Sequence, residues 1–136
     1  MTYTVLYIED DAANVRLVER VFERRPDLVL ISATHGLPGI DMAVDRHPDV
    51  VLLDMDLPDI HGGIVLKCLR GKPSTAAIPV VVLSADAIDR HIQTILESGA
   101  SAYMTKPYDV RDLLATIDEL IQLSDARPPS IPPDAN

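Results

Sequence analysis

The chain has 136 residues, 47% of them hydrophobic, and carries 12 Lys and Arg against 21 Asp and Glu for a net charge of −9. Such a length and composition suit one globular domain, and the acidic balance argues against direct nucleic-acid contact, which draws its affinity from clustered Lys and Arg. The longest apolar runs fall far short of the ~18 residues that cross a bilayer, and Met1-Thr2-Tyr3 leads straight into a strand pattern with no basic leader, so a soluble cytoplasmic protein without membrane insertion is expected.

In chain order, short apolar runs alternate with segments of helical period. Thr4–Ile8 reads as a strand, followed by a helix on Val15, Val18 and Phe22 that Asp11 is suited to cap. Leu28–Ala33 is the second strand, and a short helix around Ile40–Arg46, halted before Pro48, follows it. The third strand, Val50–Leu53, leads to a helix on Val65, Cys68 and Leu69, in which the lone cysteine is a small apolar filler rather than a disulfide or zinc residue. Val80–Leu83 is the fourth strand; Ile88, Ile92, Ile95 and Leu96 mark the fourth helix, with Gly99 suited to the position just past its end. Ala102–Thr105 is the fifth strand, and Asp109 suits the cap of a last helix on Val110, Leu113, Leu114, Ile117 and Ile121. The order is (βα)5, an α/β chain whose strands, buried on both faces and joined by right-handed helical crossovers, form a five-stranded parallel sheet in a three-layer sandwich. Residues 1–124 make the domain, and 125–136, with four prolines and almost no apolar anchor, read as a disordered tail.

Ligands of open α/β sheets bind outside the carboxyl ends of the strands. Here those ends carry Glu9-Asp10-Asp11, Asp54, Ser84 and Lys106-Pro107, which together describe an acidic pocket with a hydroxyl and an ammonium at its rim. Two carboxylates about 4 Å apart repel by roughly 4 kcal/mol at an effective dielectric near 20, so Glu9, Asp10 and Asp54 call for a cation. An all-oxygen set suits Mg²⁺, which takes one or two carboxylates and keeps several waters for phosphate oxygens. With Lys106 offsetting phosphoryl charge, Ser84 donating a hydrogen bond and a carboxylate as nucleophile, the pocket suits an aspartyl phosphate. The Lys106–Pro107 bond is expected to be cis, a form that costs only about 0.5–1 kcal/mol before proline and would turn the ammonium back towards Asp54.

Four motifs, in this order and at these strand ends, resemble the receiver domains of two-component response regulators. They are Val5-Leu6-Tyr7-Ile8-Glu9-Asp10-Asp11, Leu53-Asp54-Met55-Asp56-Leu57-Pro58-Asp59-Ile60-His61-Gly62, Leu83-Ser84-Ala85 and Tyr103-Met104-Thr105-Lys106-Pro107. The resemblance covers about Thr4 to Leu123 and implies a flavodoxin-like, doubly wound sheet of strand order 2-1-3-4-5. It also implies Mg²⁺-dependent phosphorylation of Asp54 by a histidine kinase or histidine phosphotransfer protein, in a regulatory phosphoacceptor rather than an enzyme. By position, Asp10 and Asp54 would ligate the metal directly, Glu9 mainly through a water, and Asp56 through its backbone carbonyl. Ser84 and Tyr103 would act as the switch, transmitting phosphorylation to a partner-binding face made by the fourth helix, fifth strand and fifth helix; the same change could pair two copies. Glu9 stands where an aspartate is common, and Asp56 and Asp86 put carboxylates at the pocket mouth, where they would tune the phosphoryl lifetime. The chain would be a stand-alone receiver or part of a larger regulator or hybrid kinase. Two other readings stay open at this point: a phosphatase of the haloacid-dehalogenase type, whose signature Asp54-Met55-Asp56 also fits, and a partner-binding pseudo-receiver that is never phosphorylated.

Overall fold

A computed structural model describes residues 1–126. Five strands, β1 (Tyr3–Ile8), β2 (Leu28–Ala33), β3 (Val50–Asp54), β4 (Val80–Ser84) and β5 (Ala102–Thr105), alternate with α1 (Ala12–Phe22), α2 (Gly36–Arg46), α3 (Gly62–Gly71), α4 (Asp89–Glu97) and α5 (Val110–Ala126). The sheet is wholly parallel, in the order β2-β1-β3-β4-β5. The order in which successive strands are added reverses between β1 and β3, so the switch point falls where β1 and β3 end side by side.

Strand alternation divides the core in two. Leu6, Ile8, Val51, Leu53, Val80 and Val82 face α2, α3 and α4 through Ile40, Val65, Leu66, Leu69 and Ile95. Val5, Tyr7, Leu52, Val81 and Leu83 face α1 and α5 through Val18, Phe22, Leu113, Ile117 and Ile121. Every residue of β3 and β4 is buried, which explains why those strands read as continuous apolar runs rather than as alternation. Burying one such aliphatic side chain contributes about 1.5–3 kcal/mol, so the central strands anchor whatever their ends carry.

The caps largely follow local sequence. Asp11 accepts from the Ala13 amide at 2.9 Å and Asp109 from the Arg111 amide at 2.8 Å, while Gly99 takes φ +112° just past α4. Strands β1, β3 and β4 each extend one residue beyond expectation, and two helix boundaries differ by more. Helix α5 runs through Ala126, two residues into the expected tail, and its last turn is tied to β1 by the Tyr3 hydroxyl donating to Asp125 at 2.8 Å; residues 127–136 lie outside the described part. Helix α2 begins at Gly36, four residues before the expected start, because its first amides are satisfied from afar: Asp59, in the loop after β3, accepts from the Gly36 and Leu37 amides at 2.8 and 2.9 Å. Pro38 is harmless there, since a first-turn amide has no partner within the helix.

Those two backbone donors, Leu37 first, hold the Asp59 carboxyl down at about 2. A depressed folded-state value stabilises the fold above the ordinary 3.8, and the contribution is lost as the pH falls through about 2. Urea midpoints should therefore be lower for Asp59→Ala than for the wild type at pH 5–7 and converge towards pH 2; equal midpoints at pH 6 would show that the clamp contributes nothing.

Candidate functional site

The strands deliver the site. Asp54 and Ser84 are the last residues of β3 and β4, and Glu9 and Asp10 follow β1 directly, so a parallel sheet has to bring them to one edge. Glu9 is 1% exposed, Asp54 3% and Ser84 5%, whereas Asp10 is open to solvent. One carboxylate oxygen from each of Glu9, Asp10 and Asp54 can be chosen so that all lie within 4.8 Å of one another.

Lys106, the first residue beyond β5, donates from Nζ to Asp54 Oδ1 at 2.8 Å and approaches Glu9 Oε1 at 3.5 Å. The peptide bond that follows, Lys106–Pro107, is cis. Burial acts to lower the Lys106 ammonium, but hydrogen bonds and charge from Asp54 and Glu9 outweigh it and hold its pKa above the ordinary value. Burial, the strongest influence on Glu9, joins with the adjacent Asp54 to push it up to about 7, against the opposing pull of Asn14 and Lys106. Asn14, in the first turns of α1, donates to Glu9 Oε1 at 2.6 Å and fixes the carboxylate.

Asp56 is exposed and lines an open cleft of about 330 Å³ with Asp10, Met55, Pro58, Asp59 and His61. Behind this loop Gly62 opens α3, and a Cβ there would lie 2.7 Å from both the Asp54 carbonyl oxygen and the Met55 Cα. Only glycine lets the helix start so close under the strand end. Its neighbour His61 caps α3, accepting through Nδ1 from the Gly63 amide at 3.0 Å. Ser84 Oγ accepts from the Asp86 amide at 3.2 Å. Tyr103 is half-buried, with its hydroxyl donating to the Asp86 carbonyl at 2.7 Å and the His91 ring edge-on to it at 6.4 Å. The Asp86 carboxylate, expected at the pocket mouth, accepts from the Ile88 amide at 2.9 Å and lies 3.9 Å from His91.

Sequence reasoning missed Asn14, Asp59 and Gly62. A polar residue one turn into α1 after an acid pair was a legible hint for Asn14, and the Gly62-Gly63 pair hinted at close packing. Asp59 gave no signal, because its partners lie 22 and 23 residues earlier in the chain.

Two buried carboxylates and a third at their edge, faced by a single ammonium, form an all-oxygen donor set short of positive charge, and that set fits a hard divalent cation such as Mg²⁺. Known proteins resemble this chain in sequence and in fold. A sequence profile described as the response regulator receiver domain matches residues 5–118. The polar-differentiation response regulator DivK of Brucella ovis is 32% identical over 117 residues, 86% of this chain and 94% of that protein. Among solved structures, the receiver domain of the Francisella response regulator 1452 superimposes with a TM-score of 0.84 at 25% identity, covering 90% of this chain and 99% of that one. The receiver domain of the Pseudomonas aeruginosa sensor histidine kinase PA1611, described with a magnesium ion in its active-site cleft, gives 0.80 at 21% identity over 90% of this chain and 99% of its own.

Without divalent metal, the raised Glu9 value has a measurable consequence. The folded protein holds a proton that the unfolded chain releases near 4.5, so stability is fullest below 4.5 and declines as pH rises towards about 7. Denaturation in a chelator should show that decline, with Glu9→Gln flattening it and millimolar Mg²⁺ offsetting it; a wild-type profile as flat as the variant's would refute the assignment.

Proposed function

The chain belongs to the response regulator receiver domain family, whose members are regulatory phosphoacceptors in two-component signalling rather than conventional enzymes, and from that premise we propose that Asp54 accepts the phosphoryl group. The observation that carries the reading is the convergence at one sheet edge of Asp54, Glu9 and Asp10 with the Lys106 ammonium 2.8 Å from the acceptor oxygen. An Asp54 carboxylate oxygen attacks the phosphorus of a phosphohistidine on a histidine kinase or histidine phosphotransfer protein. The new O–P bond forms as the P–N bond breaks, and the imidazole nitrogen leaves with the electron pair. Glu9, Asp10, Asp54 and the Asp56 carbonyl would hold Mg²⁺, which when bound offsets charge on the phosphoryl oxygens.

Lys106 supplies positive charge from the other side and, held by Asp54, needs little reorganisation to do so. Ser84 stands next to Asp54 across the β3–β4 ladder's end and can turn its hydroxyl to donate to a phosphoryl oxygen. Turning costs it the Asp86 amide, and that amide belongs to the segment whose carbonyl holds the Tyr103 hydroxyl. A movement of Ser84 therefore bears on Tyr103, and through it on the α4-β5-α5 face, which would engage a downstream partner.

Incubation with acetyl phosphate and Mg²⁺ should add one phosphoryl group by intact mass, with none added in Asp54→Asn or in the presence of a chelator. Persistent single phosphorylation of that variant at the wild-type rate would refute the acceptor, and steady turnover of p-nitrophenyl phosphate would refute a stoichiometric switch. On beryllofluoride binding, amide shifts should extend from the Asp54 loop into Asp89–Glu97 and Val110–Ala126; changes confined to the loops around Asp54 would sink the proposed route to the α4-β5-α5 face.

A further inference from the structure

Helices α2 and α3 lie over the same half of the core, and because both return between strands of one parallel sheet they run in the same direction. Their starts are level. A Cβ on Gly36, the first residue of α2, would fall 2.7 Å from Ile60 and 2.8 Å from Val65, which stand either side of Gly62, the first residue of α3. Between the helices runs an open groove of about 640 Å³ whose apolar lining includes Ile40, Val44 and Cys68. In the first turns of the two helices, Leu37 and Ile64 are 56% and 51% exposed, apolar surface that a further contact would remove from water.

The charges on this face are sorted by helix. Asp41 and Asp45 are the exposed acids of α2, and Lys67 and the cap residue Lys72 are the exposed lysines of α3. Among the described residues none of the four forms an ion pair. Counted from Gly36 and Gly62, Asp41 and Lys67 each stand five residues on, and Asp45 and Lys72 stand nine and ten on. At ~1.5 Å of rise per residue, each acid is level with a base on the neighbouring helix. Within one chain the groove lies between them.

We propose that the α2–α3 face docks a second copy of this chain about a twofold axis that runs along the helices. Such an axis sets α2 of each copy opposite α3 of the other at the same height, so every contact occurs twice. Leu37 then meets Ile64 of the other copy, Asp41 faces Lys67, and Asp45 faces Lys72. An axis across the helices would instead set the apolar first turns against the charged last turns. A partner whose face carried one sign would leave either α2 or α3 opposite like charge, whereas this face holds both signs in register and is complementary to itself. The pairing uses neither Asp54 nor the α4-β5-α5 face and so stands apart from the phosphoacceptor reading.

Sedimentation equilibrium of the whole unphosphorylated chain tests the proposal. Two helices a side make a small contact, so self-association is expected at roughly 10–100 μM and should weaken as NaCl is raised. Asp41→Lys with Asp45→Lys makes the face wholly basic, and Lys67→Glu with Lys72→Glu makes it wholly acidic. Each double variant should keep the wild-type circular dichroism yet self-associate about tenfold or more weakly. An equimolar mixture of the two should restore wild-type association, because each helix then faces the opposite sign. Leu37→Gln and Ile64→Gln, which leave the charges alone, should weaken it too. The proposal is overturned by a wild-type chain still monomeric at about 1 mM, well above the expected range. Self-association unchanged in the charge variants or in both glutamine variants would overturn it as well, and so would folded charge variants whose mixture does not pair.

Discussion

Lys106 stands 2.8 Å from Asp54 and 3.5 Å from Glu9, a single positive charge placed against carboxylates that would otherwise repel one another. At an effective dielectric near 20, two carboxylates 4 Å apart cost roughly 4 kcal/mol, which no flexible surface loop would keep in place unaided. The parallel sheet carries that cost. Its strands all end on one edge, so the acidic ends of β1 and β3 have nowhere else to go, while β5 brings the lysine to the same edge from two strands away. Removing the ammonium while keeping the acids would leave buried charge without a counterpart, the costliest of the local changes the site could suffer.

Stiffness beneath and adjustable loops above follow from this arrangement. Strands β3 and β4 are buried throughout, and Asp54 and Ser84 inherit their positions from strands that cannot shift without disturbing both halves of the core. The loops are held by individual hydrogen bonds instead: Asp59 on the start of α2, His61 on the start of α3, Asp86 on the start of α4 and Asp109 on the start of α5. Each such bond can be exchanged at small cost, whereas a core side chain cannot. A switch built on this frame works by trading loop hydrogen bonds around a fixed acceptor. The chain from Ser84 through the Asp86 segment to Tyr103 has that form.

Composition and period alone carried the fold class, the five strands and the order of elements, because a fully buried strand and an amphipathic helix have distinct residue patterns. Val80–Leu83 could be read as a strand without any partner in view, and Asp11 and Asp109 could be read as caps because capping is a contact within a few residues. The acids at the strand ends were legible for the same reason: once the strands were parallel, the residues just past them had to meet.

What needed tertiary structure was every contact with a long span in sequence or a choice of side-chain direction. Asp59 clamps a helix more than twenty residues upstream, and so α2 starts at Gly36 where periodicity placed it at Ile40. The Asp86 carboxylate was expected at the pocket mouth, and the backbone turn after β4 sets one of its oxygens on the Ile88 amide. Asn14 became a partner of Glu9 only when α1 packed down on the sheet, and Tyr7 became buried only because two helices closed over it. Sequence by itself determined which residues reach the edge of the sheet, since strand period and polarity are local. Only the packed structure decided which of them touch, since that depends on where the intervening helices and loops come to rest.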